Sequence, residues 1–488
     1  DWCYDTVAEP GLNGRALKYP RGRVLGGCSS INGMIYMRGQ ARDYDGWAAA
    51  GNPGWAWDDV LPLFKRTENH HGGSSALHGA AGEWRVERQR LSWQVLEAFR
   101  QAAEQSGIAS IEDFNGGDNE GCSYFQVNQR RGVRWNASKA FLRDIRQRPN
   151  LRVLTDAEVQ RVVLADGRAS ALRLQWQGRE LQIAARREII LCAGAIGTPA
   201  LLQRSGIGPR PLLQRLGIGV QHELAGVGEN LQDHLQLRLI YKVSGVPTLN
   251  QLVANPWGKL GMGLEYLFKR SGPLAMAPSQ LGAFARSSAA QPSANLQYHV
   301  QPLSLERFGE PLHGFPAFTA SVCNLRPYSR GKVEIRSLDS AAAPLIQPNY
   351  LSDPRDLQVA ADAIRLTRRI VAAPALAAFK PEEYKPGPSY QSEEDLQRAA
   401  GEIGTTIFHP VGTCRMGQGR DAVVDAQLRV HGVPGLRIAD ASIMPNIVSG
   451  NTCSPVLMIA EKAAELILAP SGQRAPASAA AARQALVE

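Results

Sequence analysis

The stretch "REIILCAGAIGTPALLQRSGIG", residues 187–208, organises the chain. Ile189 to Ala193 is a continuous apolar run, the pattern of a strand buried on both faces of a parallel sheet. Gly194 and Gly197 supply a tight turn. Thr198 and Pro199 are expected as the N-cap and first residue of a helix, and Gly206 as its end. Strand, tight turn and helix make one unit of a doubly wound α/β fold. In such folds ligands bind at the carboxyl ends of the strands, against helix N-termini.

Downstream, "GLRIADASIMP" predicts a second strand over residues 436–440, ending in Asp440, and "SGNTCSPVLMIAEKAAELI" predicts a helix with Pro455 in its first turn. Upstream, "LRVL" (151–154), "VQRVVL" (159–164), "ALRLQW" (171–176) and "LQIA" (181–184) predict short strands, separated at Asp166-Gly167 and Gly178. Residues 55–68 predict a helix with Asp58 as N-cap, and residues 92–106 an amphipathic helix ending at Gly107. Residues 233–400 differ in character, with mixed strands, Pro-rich turns and a long helix near 355–373, and are expected to form a second domain inserted into the first. Near the start, "YPRGRVLGGCSSINGMIYMRG" (19–39) is the kind of Gly- and Ser-rich run that holds a phosphate or the edge of a flat cofactor.

The chain has 488 residues, enough for two domains, and 20% of them are charged, as in an ordinary globular enzyme. Its formal charge of +9 comes from scattered Arg residues. That pattern fits a basic surface, and no interleaving of aromatic and basic residues points to nucleic acid. The seven cysteines are widely spaced with no CxxC, which argues against a zinc site and a disulfide framework and for reduced thiols in a cytoplasmic chain. No apolar run reaches the ~18 residues of a membrane span. "DWCYDTVAEP" does not read as a natural start, and residues 471–488, rich in Ala, Pro and Ser, are expected to form a flexible tail.

Two late polar clusters could carry chemistry. "FHPVGTCRMG" contains His409, and "SGNTCSP" contains Asn451 immediately before a helix. Converging on one crevice, they suit proton abstraction from a hydroxyl. Histidine, with an ordinary pKa of about 6.5, acts as base and asparagine orients the oxygen. Taken singly, His409 could equally pack in a turn before Pro410, and Asn451 could be a helix N-cap. The helix beginning near Thr452 presents a positive end to whatever gains negative charge there. No GxSxG nucleophile elbow, Walker loop or complete GxGxxG occurs; "GVGENL" (226–231) lacks the last Gly.

Four segments together resemble one family. "GRVLGGCSSINGMIYMRG" (22–39) and "GAIGTPALLQRSGIG" (194–208) are similar to the two signatures of the glucose–methanol–choline (GMC) flavin oxidoreductases. "HPVGTCRMG" and "DASIMPNIVSGNT" resemble their catalytic His and Asn segments, in the choline dehydrogenase and alcohol dehydrogenase branch. The resemblance implies FAD-dependent oxidation of a primary alcohol, with His409 taking the hydroxyl proton, Asn451 bonding the alcohol oxygen, and hydride passing to flavin N5. It places Gly27, Ser29, Asn32, Gly33, Met34 and Ile35 along the flavin and pyrophosphate. Val159 falls by the adenine, Asp440 and Ala441 by the ribityl and phosphate region, and Thr452 by the pyrimidine edge. No metal is implied. The FAD-binding domain becomes discontinuous, over 1–50, 151–232 and 400–470, with 51–150 and 233–399 as substrate-binding regions. The electron acceptor is a quinone or oxygen, and peripheral contact with the inner membrane is compatible with the branch.

Three departures qualify this. The family's opening strand, GxGxxG turn and helix are not in the sequence, so the domain is expected to be N-terminally incomplete and to bind FAD weakly or not at all. The alternative is a flavin-free remnant without activity. Ile31 stands where some relatives carry a His bonded to FAD, so FAD is expected to be non-covalent. Gln280 stands where several relatives have Glu, which favours a neutral alcohol over a cation such as choline.

Overall fold

The computed structural model describes residues 1–469 and shows a mixed α/β protein; the tail expected at 471–488 lies outside the described residues. Its largest sheet is antiparallel. The strand order is Glu382–Lys385, Leu235–Lys242, Ala317–Asn324, Leu296–Gln301, Leu281–Ala285 and Gly121–Tyr124, and Gly404–Thr406 adds to the start of Leu235–Lys242. Alternation gives this sheet two unlike faces. Leu237, Leu239, Val322, Ala320, Tyr298 and Val300 point into the main core, which the helices Gln94–Gln105, Pro354–Val371 and Glu393–Ile403 cover. The opposite face is polar although buried. Gln297 pairs with Cys323, and His299 with Ser321, which in turn pairs with Arg238.

The unit at 187–208 forms, with shifted boundaries. The strand is Ile189–Leu191, paired in parallel with Leu436–Ile438, and the helix is Gly194–Arg204. The helix starts four residues before the expected cap, so Thr198 and Pro199 lie inside it. Thr198 instead braces the turn, its Oγ1 accepting from Ala193 N at 3.1 Å and donating to Asp440 Oδ2 at 2.6 Å. Pro199 has no N–H for the carbonyl of Ala195, and the hydroxyl of Thr413 fills that place at 2.6 Å. A helix with an internal proline is tolerated because the broken ladder bond is replaced from outside. Nor is the strand buried on both faces: Ile190 is 40% exposed.

The helices expected near 92–106 and 355–373 are Gln94–Gln105 and Pro354–Val371. The one near 55–68 is Trp57–Thr67, and its cap is not Asp58. Ala56 is the N-cap residue, and its N–H is met by Asp59 Oδ2 at 3.1 Å. Its apolar face joins that of Cys453–Leu468 in the second core. Of the short strands expected over 151–184, three form the antiparallel sheet Ala157–Ala165, Arg168–Trp176 and Arg179–Ala184. Residues 151–154 do not pair in a ladder among the described residues; Leu151 N turns back to Arg148 O.

Candidate active site

The late segments lie side by side. Gly412 N donates to Ala441 O, Cys414 N to Ser442 O and Met416 N to Ile443 O, which fixes the His409 loop along the chain leaving strand Leu436–Ile438. Asp440 follows that strand rather than ending it. Its Oδ2 accepts from Gly194 N at 2.9 Å, and its Oδ1 from Ser442 N at 2.8 Å. The first glycine-rich run reaches the same place. A Cβ on Gly450 would lie 3.3 Å from that of Met37, and Ser449 N donates to Asp43 Oδ2 at 2.7 Å.

His409 and Asn451 meet directly, with Asn451 Nδ2 3.1 Å from His409 Nε2. The N-cap of the following helix is Thr452, without a side-chain cap bond, so Asn451 is not spent on capping. Its Oδ1 accepts from Gln297 Nε2 at 3.0 Å. On the other side, His409 Nδ1 lies 3.1 Å from His234 Nδ1, and His234 Nε2 lies 3.2 Å from Leu325 O. These contacts set the tautomers. A carbonyl only accepts, so His234 carries its proton on Nε2 and offers the lone pair of Nδ1. His409 then donates from Nδ1, and its Nε2 is left as the free base, facing Asn451.

Burial, reinforced by His234, His299 and Arg21, holds the His409 pKa well below its ordinary value. Burial lowers His234 to about 3 and His299 to about 4. All three rings are therefore neutral at pH 7. Asp233 does not change this. Its Oδ1 takes the backbone N–H of His409 at 2.7 Å, and its Oδ2 takes the hydroxyls of Tyr19, Tyr350 and Thr406 at 2.8, 2.5 and 2.6 Å. It anchors the loop rather than the ring, and burial raises its pKa.

Six of the remaining expected positions, Gly27, Ser29, Asn32, Gly33, Met34 and Ile35, lie on the first glycine-rich run. Gly27 has φ +53° and nothing within 4 Å of where a Cβ would lie; Gly194, at φ +78°, is equally open. Asn32 Oδ1 accepts from Met34 N and from Arg134 Nη1. Ser29 Oγ accepts from Ala137 N. Gly33 faces the exposed Pro278, and Ile35 is buried in a bridge to Val127. Ile31, Val24 and Leu25 are exposed apolar side chains on the same run, a surface that a flat ring system could cover. Ala441 and Thr452 are half-buried. Val159 lies on a separate three-stranded sheet, half-buried against the second core. Open glycines, exposed apolar side chains and an uncapped helix N-terminus suit a flat, anionic dinucleotide.

His234, Gln297 and His299 do not emerge from motif reading. The strand Leu296–Gln301, "LQYHVQ", alternates apolar and polar residues, which is the one signal that Gln297, His299 and Gln301 share a face. Sequence reading also missed a second histidine cluster, in which ligand atoms of His70, His78 and Asp113 lie within 4.8 Å of one another. His78 Nε2 is 2.6 Å from Asp113 Oδ2 and its Nδ1 3.0 Å from Glu68 Oε1. Burial opposes the His78 cation, but these carboxylate bonds prevail and raise its pKa to about 9. The rings of His70 and His78 stack 3.9 Å apart and 16° from parallel, so their in-plane lone pairs do not converge on one ion.

A neutral buried imidazole in contact with an amide side chain is an arrangement suited to taking a proton from a hydroxyl. The chain belongs to the GMC oxidoreductase family, whose N- and C-terminal models match residues 5–236 and 327–460. The cofactor of that family is FAD. Similar proteins include an alcohol dehydrogenase [acceptor] of Pseudomonas putida, 39% identical over 96% of this chain and 85% of that protein. A mitochondrial choline dehydrogenase of Homo sapiens is 40% identical over 96% of this chain and 79% of that protein. Among solved structures, pyridoxine 4-oxidase from Mesorbium loti superposes with a TM-score of 0.86 at 32% identity, over 95% of this chain and 88% of that one.

Proposed function

We propose that the chain oxidises a neutral primary alcohol to an aldehyde, with His409 as the base and Asn451 as the residue that orients the alcohol oxygen. The observation that carries this is the pair His409 Nε2–Asn451 Nδ2, in which a neutral base faces an amide N–H. An alcohol oxygen between them would accept from Asn451 and give its proton to His409 Nε2. His299, with neither ring nitrogen bonded, offers a second partner for that oxygen. FAD, when bound, supplies the hydride acceptor. Gly27, Ser29, Asn32, Gly33, Met34 and Ile35 would hold it non-covalently, with Asp440, Ala441 and Thr452 at its edge and Val159 towards the adenine.

The groups around the base favour a neutral substrate. Asn451, Gln297, His234 and His299 are uncharged, Arg21 is cationic, and the Asp233 carboxylate is taken up by His409 N and three hydroxyls, whereas a cation such as choline needs a free carboxylate or an aromatic cage. We retain the division into an FAD-binding part (1–50, 151–232, 400–470) and a substrate part (51–150, 233–399). The polar sheet face of the second supplies Gln297 and His299 to the base on the first. The electron acceptor is a quinone or oxygen, and peripheral contact with the inner membrane suits a quinone.

The test is anaerobic mixing of the FAD-saturated chain with a primary alkanol or with choline, following flavin absorption. Bleaching by the alkanol, with weaker bleaching by choline, is expected. Bleaching by neither would remove the alcohol oxidation; faster bleaching by choline would remove the neutral-substrate reading.

A further inference from the structure

The helix Pro256–Lys269 turns its apolar side outward. Trp257 is 78% exposed, Leu260 52%, Leu264 47%, Leu267 63% and Phe268 78%. These positions recur at intervals of three and four, so they form one stripe. Met262 is the buried side chain of the helix. An ordinary surface helix buries such a stripe, whereas this one presents it to solvent, continued by Leu274 at 56% exposed.

The helix is well specified. Asn255 caps it, its Oδ1 accepting from Trp257 N at 2.9 Å, Pro256 occupies its first turn, and Arg270 ends it at φ +51°. It is fixed to the body by Arg90, whose Nη2 donates to Lys269 O at 3.1 Å. Charge around the stripe is one-sided. Lys259, Lys269, Arg270, Arg90 and Arg131 are exposed, while Glu265 is half-buried and accepts from Ser271 Oγ at 2.9 Å. Cations at the carboxyl end also match the helix dipole. The chain leaving the helix leads straight to the first glycine-rich run. Ala275 O accepts from Gln129 Nε2, which lies 3.6 Å from Met34 Sδ, and Pro278 lies 3.7 Å from where a Cβ on Gly33 would sit.

We propose that this helix docks the protein on an anionic lipid surface, its apolar stripe in the headgroup–acyl boundary and its basic rim against the headgroups. The chemistry is that of an interfacial amphipathic helix, with an aromatic near each end of the stripe and lysine or arginine flanking it. The proposal rests on the peripheral-contact reading above, not on the catalytic one, and it places the bilayer next to Gly33 and Met34. The basic rim favours lipid over a second copy of the chain, whose matching helix would bring the same cations together.

The test is flotation of the full chain with vesicles of phosphatidylcholine alone or with added phosphatidylglycerol. Binding to the anionic vesicles is expected, weakened by salt. The double variant Trp257→Ser/Phe268→Ser should lower the partition roughly tenfold or more. Lys269→Glu/Arg270→Glu should remove the preference for phosphatidylglycerol. Unchanged melting and unchanged anaerobic flavin bleaching would show that both variants keep fold and chemistry, so either proposal can fail without the other. Absence of vesicle binding by the unaltered chain would overturn the inference, as would binding that survives Trp257→Ser/Phe268→Ser. So would a self-association in solution that this variant abolishes, which would make a second copy the occupant.

Discussion

Two buried histidine clusters in this chain differ in charge: His78 is protonated, whereas His409 is neutral. His78 and His409 are 6% and 8% exposed, so burial alone does not separate them. His78 faces two carboxylates, one on each ring nitrogen, and its pKa rises to about 9. His409 faces another imidazole and an amide, and its pKa falls well below the ordinary value. The nearest carboxylate, Asp233, binds the backbone N–H of His409 instead of the ring. Burial opposes both cations; carboxylates on the ring reverse it for His78, and none does so for His409. The first cluster is thus a buried ion network, and the second a base kept free of its proton.

The comparison can be broken most severely at Glu68. Its carboxylate is fully buried and accepts from Arg38 at 2.8 Å, from His78 and from Gly79 N. Glu68→Gln should leave two cations without their shared anion and cost about 3–5 kcal/mol, read by urea or thermal unfolding. A loss below about 1 kcal/mol would mean that the network relaxes into water. His409→Ala should leave the fold intact and lower kcat for alcohol oxidation by roughly 10²-fold or more, the scale of a lost general base. Near-normal turnover would take His409 out of the mechanism.

His234 sharpens the same contrast. His234→Leu removes the acceptor for the Nδ1 proton of His409, worth about 1 kcal/mol net, so kcat should fall roughly five- to tenfold. His234→Gln can accept from His409 and donate to Leu325 O, and should recover most of the loss. Equal damage from both would reduce His234 to packing. The smallest effect is the pH dependence of stability. The His78 pKa is raised from 6.5 to about 9 on folding, so its contribution is fully present below pH 6.5 and lost as pH rises through 9. The melting temperature should decline over that window, and His78→Gln should flatten the decline. An identical decline in the variant would assign it to other groups.

How much was legible depended on whether the signal was local. The strand and helix at 187–208 were legible as elements because apolar runs and glycines announce them, but their boundary was not. Thr198 looks like a cap and acts as a brace, and Pro199 looks like a helix start and lies within the helix, because Asp440 and Thr413 reach them from far along the chain. His409 and Asn451 were legible as candidates, and their contact of 3.1 Å was not. His234 was not legible, since a lone histidine before an apolar strand has no local mark. The stripe on Pro256–Lys269 is periodic, yet periodicity does not tell which side faces the body.

What the sequence determined by itself was the set of parts: a mixed α/β chain, a glycine-rich run, a histidine and an asparagine on two loops, and the family they resemble. Short-range propensity and spacing suffice for these, because each is written within about one helix or strand length. Tertiary structure alone decided the neutrality of His409, the positive charge of His78 and the outward face of the Trp257 helix. Each depends on the atoms that distant segments bring to a few ångströms, and electrostatics and burial act over those distances rather than along the chain.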